Sequence, residues 1–170
     1  RLVFGSTDGS TLGIAATDDL FDPLTCIGGT IHTKGGTFEQ TIDARYPSSI
    51  TGEEIAHRVG GLAREHGCEL SVDLDMVPFS TDPNSAPIQA LVATYNEYAG
   101  RDAKPYTIGG GTYARHFKVA GAFGPNDPTY PMPDWVGSEH SADEGFSEEQ
   151  FKRALEIYIV SLSRLMELEL

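Results

Sequence analysis

A glycine pair followed by a regularly alternating stretch constrains the fold of this chain most strongly. Gly35-Gly36 is typical of a hairpin turn, and a β-rich stretch interrupted by two further glycines precedes it at residues 24–33. After the turn, the side chains of residues 37–46 alternate between two faces until Pro47. One face carries Phe38, Gln40, Ile42, Ala44 and Tyr46, and the other carries Glu39, Thr41, Asp43 and Arg45. This pattern predicts two antiparallel strands joined by a tight turn.

A helix and a third strand are predicted to follow the hairpin. Residues 51–54 (Thr-Gly-Glu-Glu) have the spacing of a capping box, in which the Thr and Glu side chains each satisfy a backbone N–H group of the first turn. The helix is expected to stop at Gly67, because glycine commonly ends helices. Apolar and polar side chains then alternate again at residues 70–76. These elements predict a ββαβ unit, a small sheet with a helix on one face.

Two further segments flank this unit. Residues 1–22 are rich in Gly, Ser, Thr and Asp, which is typical of a loop or a fraying lead-in. After a linker at 80–84, the sequence predicts a helix at about 86–99, a short buried strand at 119–123, an irregular loop at 124–144 and a long capped helix from Ser147. The apolar face expected of that last helix consists of Phe151, Ala154, Leu155, Tyr158, Ile159, Leu162 and Leu165. We expect an α/β (α+β) protein with a lead-in at 1–22, a first domain at 23–80 and a second α/β portion at 81–170.

The composition argues against two classes of partner. The net charge of -13 argues against a nucleic-acid surface, which needs a basic stripe. No apolar run approaches the length of a spanning helix, so no membrane partner is expected. Cys26 and Cys68 stand far apart, which favours free thiols in a reducing compartment, and the chain opens at Arg1 without Met or a signal peptide, as an excised segment would. We therefore expect a cytoplasmic location.

The residues alone leave the chemistry of the chain open. His140 stands among acidic residues, where it is either a surface or capping histidine or a metal ligand oriented by a carboxylate. The run of residues 109–112 (Gly-Gly-Gly-Thr) is either a plain strand-to-helix turn or a turn that brings backbone N–H groups to a ligand. Arg45 is solvated, paired with Asp43 or Glu39, or available to a substrate carboxylate, and a structural role is the first expectation for His32. These residues indicate an α/β protein with a candidate anion or metal site.

Five motifs together resemble a known family. Residues 106–115 (Tyr-Thr-Ile-Gly-Gly-Gly-Thr-Tyr-Ala-Arg), 122–125 (Ala-Phe-Gly-Pro) and 138–144 (Ser-Glu-His-Ser-Ala-Asp-Glu) are similar to the C-terminal signature of the di-zinc dipeptidases. This superfamily includes bacterial broad-specificity dipeptidases, carnosinases, acetylornithine deacetylase and glutamate carboxypeptidases. Residues 29–32 (Gly-Thr-Ile-His) and 41–47 (Thr-Ile-Asp-Ala-Arg-Tyr-Pro) resemble the second half of the lid in its dipeptidase branch. The resemblance implies a ferredoxin-like half-lid ββαβ unit followed by the C-terminal portion of a zinc-peptidase α/β domain.

The resemblance also implies roles for five residues. His140 matches the last zinc ligand of the family, and Arg45 matches the lid arginine that holds the terminal carboxylate of the substrate. Gly111 and Thr112 match the turn that binds the same end of the substrate, and His32 matches a polar lid position near it. The other zinc ligands and the catalytic Glu base would belong to a segment that precedes this sequence. No catalytic residue is therefore expected within it.

The mechanism implied by the resemblance is hydrolysis of a dipeptide, or of a related acyl-amino acid, by water activated at two zinc ions. A Glu base would accept the proton of the water, and Arg45 and Thr112 would position the substrate. We expect the chain to be inactive without the missing N-terminal part of the same protein, because one histidine cannot hold two zinc ions. A non-catalytic binding module and an N-acyl-amino-acid deacylase are the alternative interpretations.

Overall fold

The computed structural model describes residues 3–124, 127 and 130–168, and this part of the chain divides into two compact units. The first unit contains residues 3–80 and Thr107–Gly111, and the second contains Thr81–Tyr106 and the described residues from Thr112 onward. The regular elements of the first unit are β1 (Thr25–Lys34), β2 (Thr37–Arg45) and α1 (Gly52–Glu65), and those of the second are α2 (Ala86–Ala99) and α3 (Glu148–Met166). The expected mixed α/β class is confirmed.

The predicted hairpin forms, and its turn lies at the expected glycines. β1 and β2 pair antiparallel, with Thr25 opposite Arg45. Gly35 and Gly36 have φ values of 59° and 84°. A two-residue turn of this hand needs positive φ at both positions, and glycine adopts such values without steric cost.

A bulge interrupts the pairing in the middle of the hairpin. The register shifts between Gly28 and Ile31, so that two residues of β1 oppose one residue of β2. The Thr41 side chain fills the gap, because its Oγ1 accepts a hydrogen bond from the Thr30 backbone N–H at 2.8 Å. The extra residue reverses the alternation of β1, so that Ile27 before the bulge and His32 after it both lie opposite outward-facing residues of β2.

The core of the first unit lies on the face of the hairpin that carries Cys26 and Ala44. Its buried members are Leu12, Ile14, Leu24, Cys26, Ile50 and Val59. Two of them come from the segment expected to be a loop or a fraying lead-in. That segment is irregular as predicted, but fraying is wrong for it, because Ile14 is completely buried and ties the loop to the sheet. Burial raises the pKa of the Cys26 thiol, and the charge of Asp43 raises it further.

α1 begins and ends as the sequence predicts, but only half of its capping box forms. Thr51 Oγ1 accepts a hydrogen bond from the Glu54 backbone N–H at 3.1 Å. The Glu54 carboxylate instead accepts one from Arg58 Nε at 2.7 Å, one turn along the helix. The helix ends before Gly67, whose φ of 70° is the left-handed value typical of a helix stop.

The predicted third strand does not form. Residues 68–80 contain no helix or strand, and Leu70 and Leu74 are 40% and 75% exposed. Alternating apolar and polar side chains form a strand only when a neighbouring strand supplies the backbone hydrogen bonds. The sheet consists of β1 and β2 and does not extend to residues 68–80. Asp75 is held differently, by a hydrogen bond from the Tyr46 hydroxyl group. The first unit is therefore ββα with an irregular last segment.

Two helices build the second unit, with boundaries that agree with the sequence. α2 ends at Gly100, which has a φ of 64°. α3 begins after Ser147, where both halves of a capping box are present: Ser147 Oγ accepts from the Gln150 N–H, and Gln150 Oε1 accepts from the Ser147 N–H, each at 3.1 Å. Local capping chemistry therefore sets these helix ends.

The apolar face predicted for α3 lies largely outward. Phe151, Leu155 and Ile159 are 54%, 54% and 61% exposed, whereas Ile157 and Ser161 are buried. A helix of this length presents more than one stripe at 3.6-residue spacing, and the contact with α2 buries the stripe that contains Ile157. Periodicity alone therefore indicated the wrong side of α3.

The short buried strand predicted at residues 119–123 does not form either. Val119 is 64% exposed, and no strand occurs among the described residues of the second unit. Thr81 Oγ1 donates to the Ala120 carbonyl at 2.6 Å and accepts from the Ala120 N–H at 3.1 Å. One side chain thus makes both bonds that a neighbouring strand would have made.

No helix in the described ranges is long and apolar enough to cross a membrane. The cytoplasmic location stays a prediction. So does the assignment of residues 1–22, 23–80 and 81–170 to a lead-in, a half-lid and part of a catalytic domain.

Candidate functional site

Arg45 ends β2 and lies on the outward face of the hairpin. Its predecessor Ala44 pairs with the buried Cys26, so the alternation of the strand turns the Arg45 side chain away from the core. That side chain is 59% exposed, and its Nε lies 3.9 Å from Asp43 Oδ1 on the same face. The loose ion pair uses one edge of the guanidinium group. The two Nη groups at the other edge remain donors for a ligand.

The glycine turn approaches Arg45 from a distant part of the sequence. Thr107–Gly111 belongs to the first unit, where the Thr107 hydroxyl group donates to the Leu20 carbonyl at 3.0 Å. A Cβ atom on Gly109 would lie 3.6 Å from Arg45 Cδ and 3.8 Å from Arg45 Nη1. The bare glycine backbone therefore lies alongside the guanidinium group. The structure brings together Arg45 and the turn that contains the predicted residue Gly111.

Within the first unit, the backbone N–H groups at the end of this turn are free to bind a ligand. Gly111 is exposed, and among the described residues no hydrogen bond occupies the backbone N–H groups of Gly109–Gly111. Thr112 caps the short 3-10 turn Tyr113–His116, because its Oγ1 accepts from the Ala114 N–H at 3.3 Å. The hydroxyl hydrogen of Thr112 is not used by that bond and can be donated elsewhere.

His140 lies in a tightly closed loop of the second unit. The Gly137 N–H donates to the Asp143 carbonyl at 2.9 Å, which closes the loop around the histidine. His140 is exposed and has a φ of 62°, a left-handed value that few residues other than glycine adopt. Glu144 Oε2 accepts from the backbone N–H of His140 at 3.0 Å. The sequence suggested a carboxylate that orients the imidazole, whereas Glu144 holds the main chain.

The described residues do not contain a complete metal site. Among them, no three His, Cys, Asp or Glu side chains lie close enough to hold an ion. Protein zinc sites use three or four side-chain ligands. One exposed imidazole therefore does not fit a zinc ion by itself, and His140 supplies at most one ligand. Its role as a zinc ligand stays a prediction.

The strand pairing places His32 far from Arg45. His32 is exposed and pairs with Glu39 near the turn of the hairpin, on the same outward face as Arg45. From Glu39 to Arg45 the strand advances about 20 Å, at about 3.3 Å per residue. A dipeptide is only about 7 Å long. The structure therefore places these two predicted residues at different ends of the hairpin face, and the role of His32 near the substrate stays a prediction.

Comparison with known proteins relates the chain to named dipeptidases. It is 31% identical over 168 residues to a protein of Staphylococcus saprophyticus, 30% identical over 168 residues to one of Staphylococcus haemolyticus and 29% identical over 166 residues to one of Staphylococcus aureus. Each of them bears the name "Putative dipeptidase". The matches cover 97% of this chain but 34% of each relative, so the chain spans about a third of their length. No protein-family model matches the chain.

Of the predicted site residues, Arg45 and Gly111 are the two that the structure places in one unit and in neighbouring segments. The second unit contains a small cleft. Its lining includes Tyr95, Phe123, Arg153 and Tyr158 but none of the five predicted site residues. Burial raises the pKa of the Tyr95 hydroxyl, and the charge of Asp127 raises it further. The cleft is a packed aromatic corner of the second unit.

Two features of the site carry no signal in the sequence. Gly109 is the glycine of the turn that lies beside Arg45, whereas the resemblance singled out Gly111 and Thr112. In a run of three glycines nothing local tells which one faces a neighbour. The anchor from Thr107 to Leu20 joins segments that are distant in sequence, and hydroxyl-to-carbonyl bonds have no residue pattern of their own. The neighbour Asp43, two residues before Arg45 on one strand face, was predictable from the period of the strand.

Proposed function

We propose that this chain is part of a zinc-dependent dipeptidase and that it supplies the grip on the free C-terminal carboxylate of the substrate. The observation that carries the proposal is the proximity of Arg45 and the glycine turn within one unit, where a Cβ atom added to Gly109 would lie 3.6 Å from Arg45 Cδ. The names of the staphylococcal relatives support the reaction class. Their greater length supports the view that other parts of the site lie outside this sequence.

The arrangement suits a carboxylate for two reasons. A guanidinium group presents paired N–H donors in a plane, and a carboxylate accepts them two at a time. The N–H groups of Gly109–Gly111 are unoccupied among the described residues and can approach an anion closely, because no side chain shields them. In the proposed complex the carboxylate lies between the Nη groups of Arg45 and this turn. Thr112 begins the next segment of the second unit, and its part in substrate binding rests on the resemblance alone.

We propose that His140 contributes one ligand to a zinc site completed by residues outside this sequence. Its imidazole is exposed, and its loop is closed by main-chain bonds that do not use the ring. Zinc would supply the activated water for hydrolysis when bound. The residues of this chain do not form that site alone, so their own part is to bind and orient the substrate. His32 is not part of the proposed grip at Arg45.

The proposal is tested by the kinetics of Arg45 variants in the full-length protein. Arg45→Ala should raise KM for a dipeptide about 10- to 100-fold, the equivalent of a charge-assisted hydrogen bond of about 1.5–3 kcal/mol, and should change kcat little. Arg45→Lys should recover only part of the loss, because an ammonium group lacks the planar fork. Wild type and Arg45→Ala should act equally on the C-terminal amide of the same dipeptide, which lacks the carboxylate.

The matched control is Arg64→Ala, which removes an exposed arginine from the last turn of α1. It should leave KM unchanged. An Arg45→Ala protein with the kinetics of wild type would remove the assignment. Faster hydrolysis of N-acyl amino acids than of dipeptides would favour the deacylase, and carboxylate binding without hydrolysis would favour a binding module.

A further inference from the structure

Two side chains accompany Arg45 on the outward face of the hairpin. Asp43 lies 3.9 Å from the Arg45 guanidinium group, and its side chain is 60% exposed. Ile27 is directly opposite Asp43 in the strand pairing and is 55% exposed. Directly opposed residues in an antiparallel pair point to the same side of the sheet. Arg45, Asp43 and Ile27 therefore form a small surface of one cation, one anion and one apolar side chain.

The charges of this surface determine which C-terminal side chains of a substrate can bind beside it. A terminal carboxylate that binds Arg45 meets one positive group and one negative group close by. When the terminal carboxylate already occupies Arg45, a second carboxylate on the side chain of the same residue meets Asp43 as the remaining charge of this surface, and like charges at short range repel each other. An apolar side chain is not repelled in this way, and it can bury apolar surface against the exposed side chain of Ile27.

We propose that Asp43 determines specificity at the carboxylate site. With Ile27 it favours substrates whose C-terminal residue is apolar and disfavours those that end in Asp or Glu. This inference rests on the proposed function, because it assumes that Arg45 holds the terminal carboxylate. It adds the class of C-terminal residue that the site selects.

The test compares two dipeptides that differ only in the C-terminal residue, Ala-Leu and Ala-Glu, with the full-length protein. Wild type should have the higher kcat/KM for Ala-Leu. Asp43→Asn should raise kcat/KM for Ala-Glu about two- to fivefold, the scale of an exposed charge interaction, and should change kcat/KM for Ala-Leu less than about twofold. Ile27→Thr should lower kcat/KM for Ala-Leu and leave kcat/KM for Ala-Glu unchanged. Thermal unfolding of each variant verifies the fold.

The matched control is Glu39→Gln, which removes one carboxylate from the same strand face near the hairpin turn. It should leave the ratio of the two kcat/KM values unchanged. An equal change for both peptides in Asp43→Asn would show that Asp43 only orients Arg45 and would overturn the inference. An unchanged ratio would overturn it as well. If wild type hydrolyses neither peptide, the proposed function itself fails, whereas hydrolysis of both with no effect of Asp43 removes only this inference.

Discussion

Asp18 fastens the irregular first segment to the end of β2. Its Oδ1 accepts from the backbone N–H groups of Leu20 and Phe21 at 2.9 and 2.7 Å, and its Oδ2 accepts from the N–H and the hydroxyl group of Ser48, both at 2.7 Å. These bonds, first that of Phe21 and then that of the Ser48 hydroxyl, lower the pKa of Asp18 from 3.8 to about 2. The negatively charged form is therefore the one that the fold stabilises.

Asp18→Asn should lower the Tm of the chain at pH 7. The amide oxygen keeps the bonds of Leu20 and Phe21, but the amide nitrogen faces the Ser48 donors and cannot accept from them. Because the folded pKa lies below the unfolded one, this stabilisation is fully present above about pH 4 and is lost as the pH falls through about 2. The Tm difference between wild type and variant should therefore vanish at low pH. Asp22→Asn, an exposed neighbour, serves as the control, and equal Tm values for Asp18→Asn and wild type at pH 7 would contradict this account.

The backbone conformation of His140 limits which substitution can test its role without straining the loop. Its φ of 62° is tolerated better by Asn than by most residues, so His140→Asn removes the imidazole with little added strain. In the full-length protein this variant should lose bound zinc and dipeptide hydrolysis together, measured by metal analysis and by turnover. His32→Asn should keep its zinc. A His140→Asn protein with a full complement of zinc would show that the histidine is not a ligand.

At the scale of elements, the contact between α2 and α3 contains buried polar groups. Thr94 is fully buried, donates to the Ala90 carbonyl at 2.8 Å and accepts from Arg164 Nη1 at 3.0 Å. The Arg164 guanidinium group also contacts Glu97 at 2.8 Å. Ser161 is buried, and its hydroxyl group has no partner among the described residues. The Thr94 hydroxyl group therefore has hydrogen-bond partners in this interface, whereas the Ser161 hydroxyl group has none among the described residues.

These two residues should respond in opposite directions to the loss of a hydroxyl group. Thr94→Val should destabilise the chain by about 1 kcal/mol, because it removes a buried hydrogen-bonded group of similar shape. Ser161→Ala should be neutral or stabilise by up to about 1 kcal/mol, because the buried hydroxyl group has lost its contacts with water without gaining a partner. Urea unfolding of both variants gives the comparison. A clear loss of stability in Ser161→Ala would indicate a partner for that hydroxyl group.

The elements that the sequence predicts correctly are those with local causes. The turn at Gly35-Gly36 and the helix end at Gly100 depend on backbone angles that glycine alone adopts easily. The wrong predictions concern which elements pair or pack with one another. Leu70 and Leu74 alternate as in a strand but have no neighbouring strand, and Phe151 lies on a stripe of α3 that α2 does not cover. Periodicity shows that a face prefers burial, but it does not show what buries it.

The candidate site was likewise predictable where its geometry has a local cause, and not where it depends on a distant segment. The position of Arg45 on the outward face follows from the alternation of β2. Its proximity to Gly109 depends on a distant segment that Thr107 anchors at Leu20. The separation of His32 from Arg45 follows from the register of the hairpin, which becomes clear only once the turn and the bulge are known.

At the scale of the whole molecule, the proposed carboxylate grip and the proposed zinc ligand belong to different units. The first unit holds Arg45 and the glycine turn, and the second holds the loop of His140. The described residues contain no cluster that could hold a metal ion, and the staphylococcal relatives that the chain matches are about three times its length. We therefore expect catalysis to require sequence beyond this chain.

The most direct test measures bound zinc and dipeptide hydrolysis for this chain alone and for the full-length protein. The full-length protein should bind zinc and hydrolyse a dipeptide with a free C-terminal carboxylate. The chain alone should bind zinc weakly or not at all, since one histidine is far short of a zinc site, and should hydrolyse nothing. Turnover of the dipeptide by the chain alone, or a full-length protein without zinc or activity, would contradict the account.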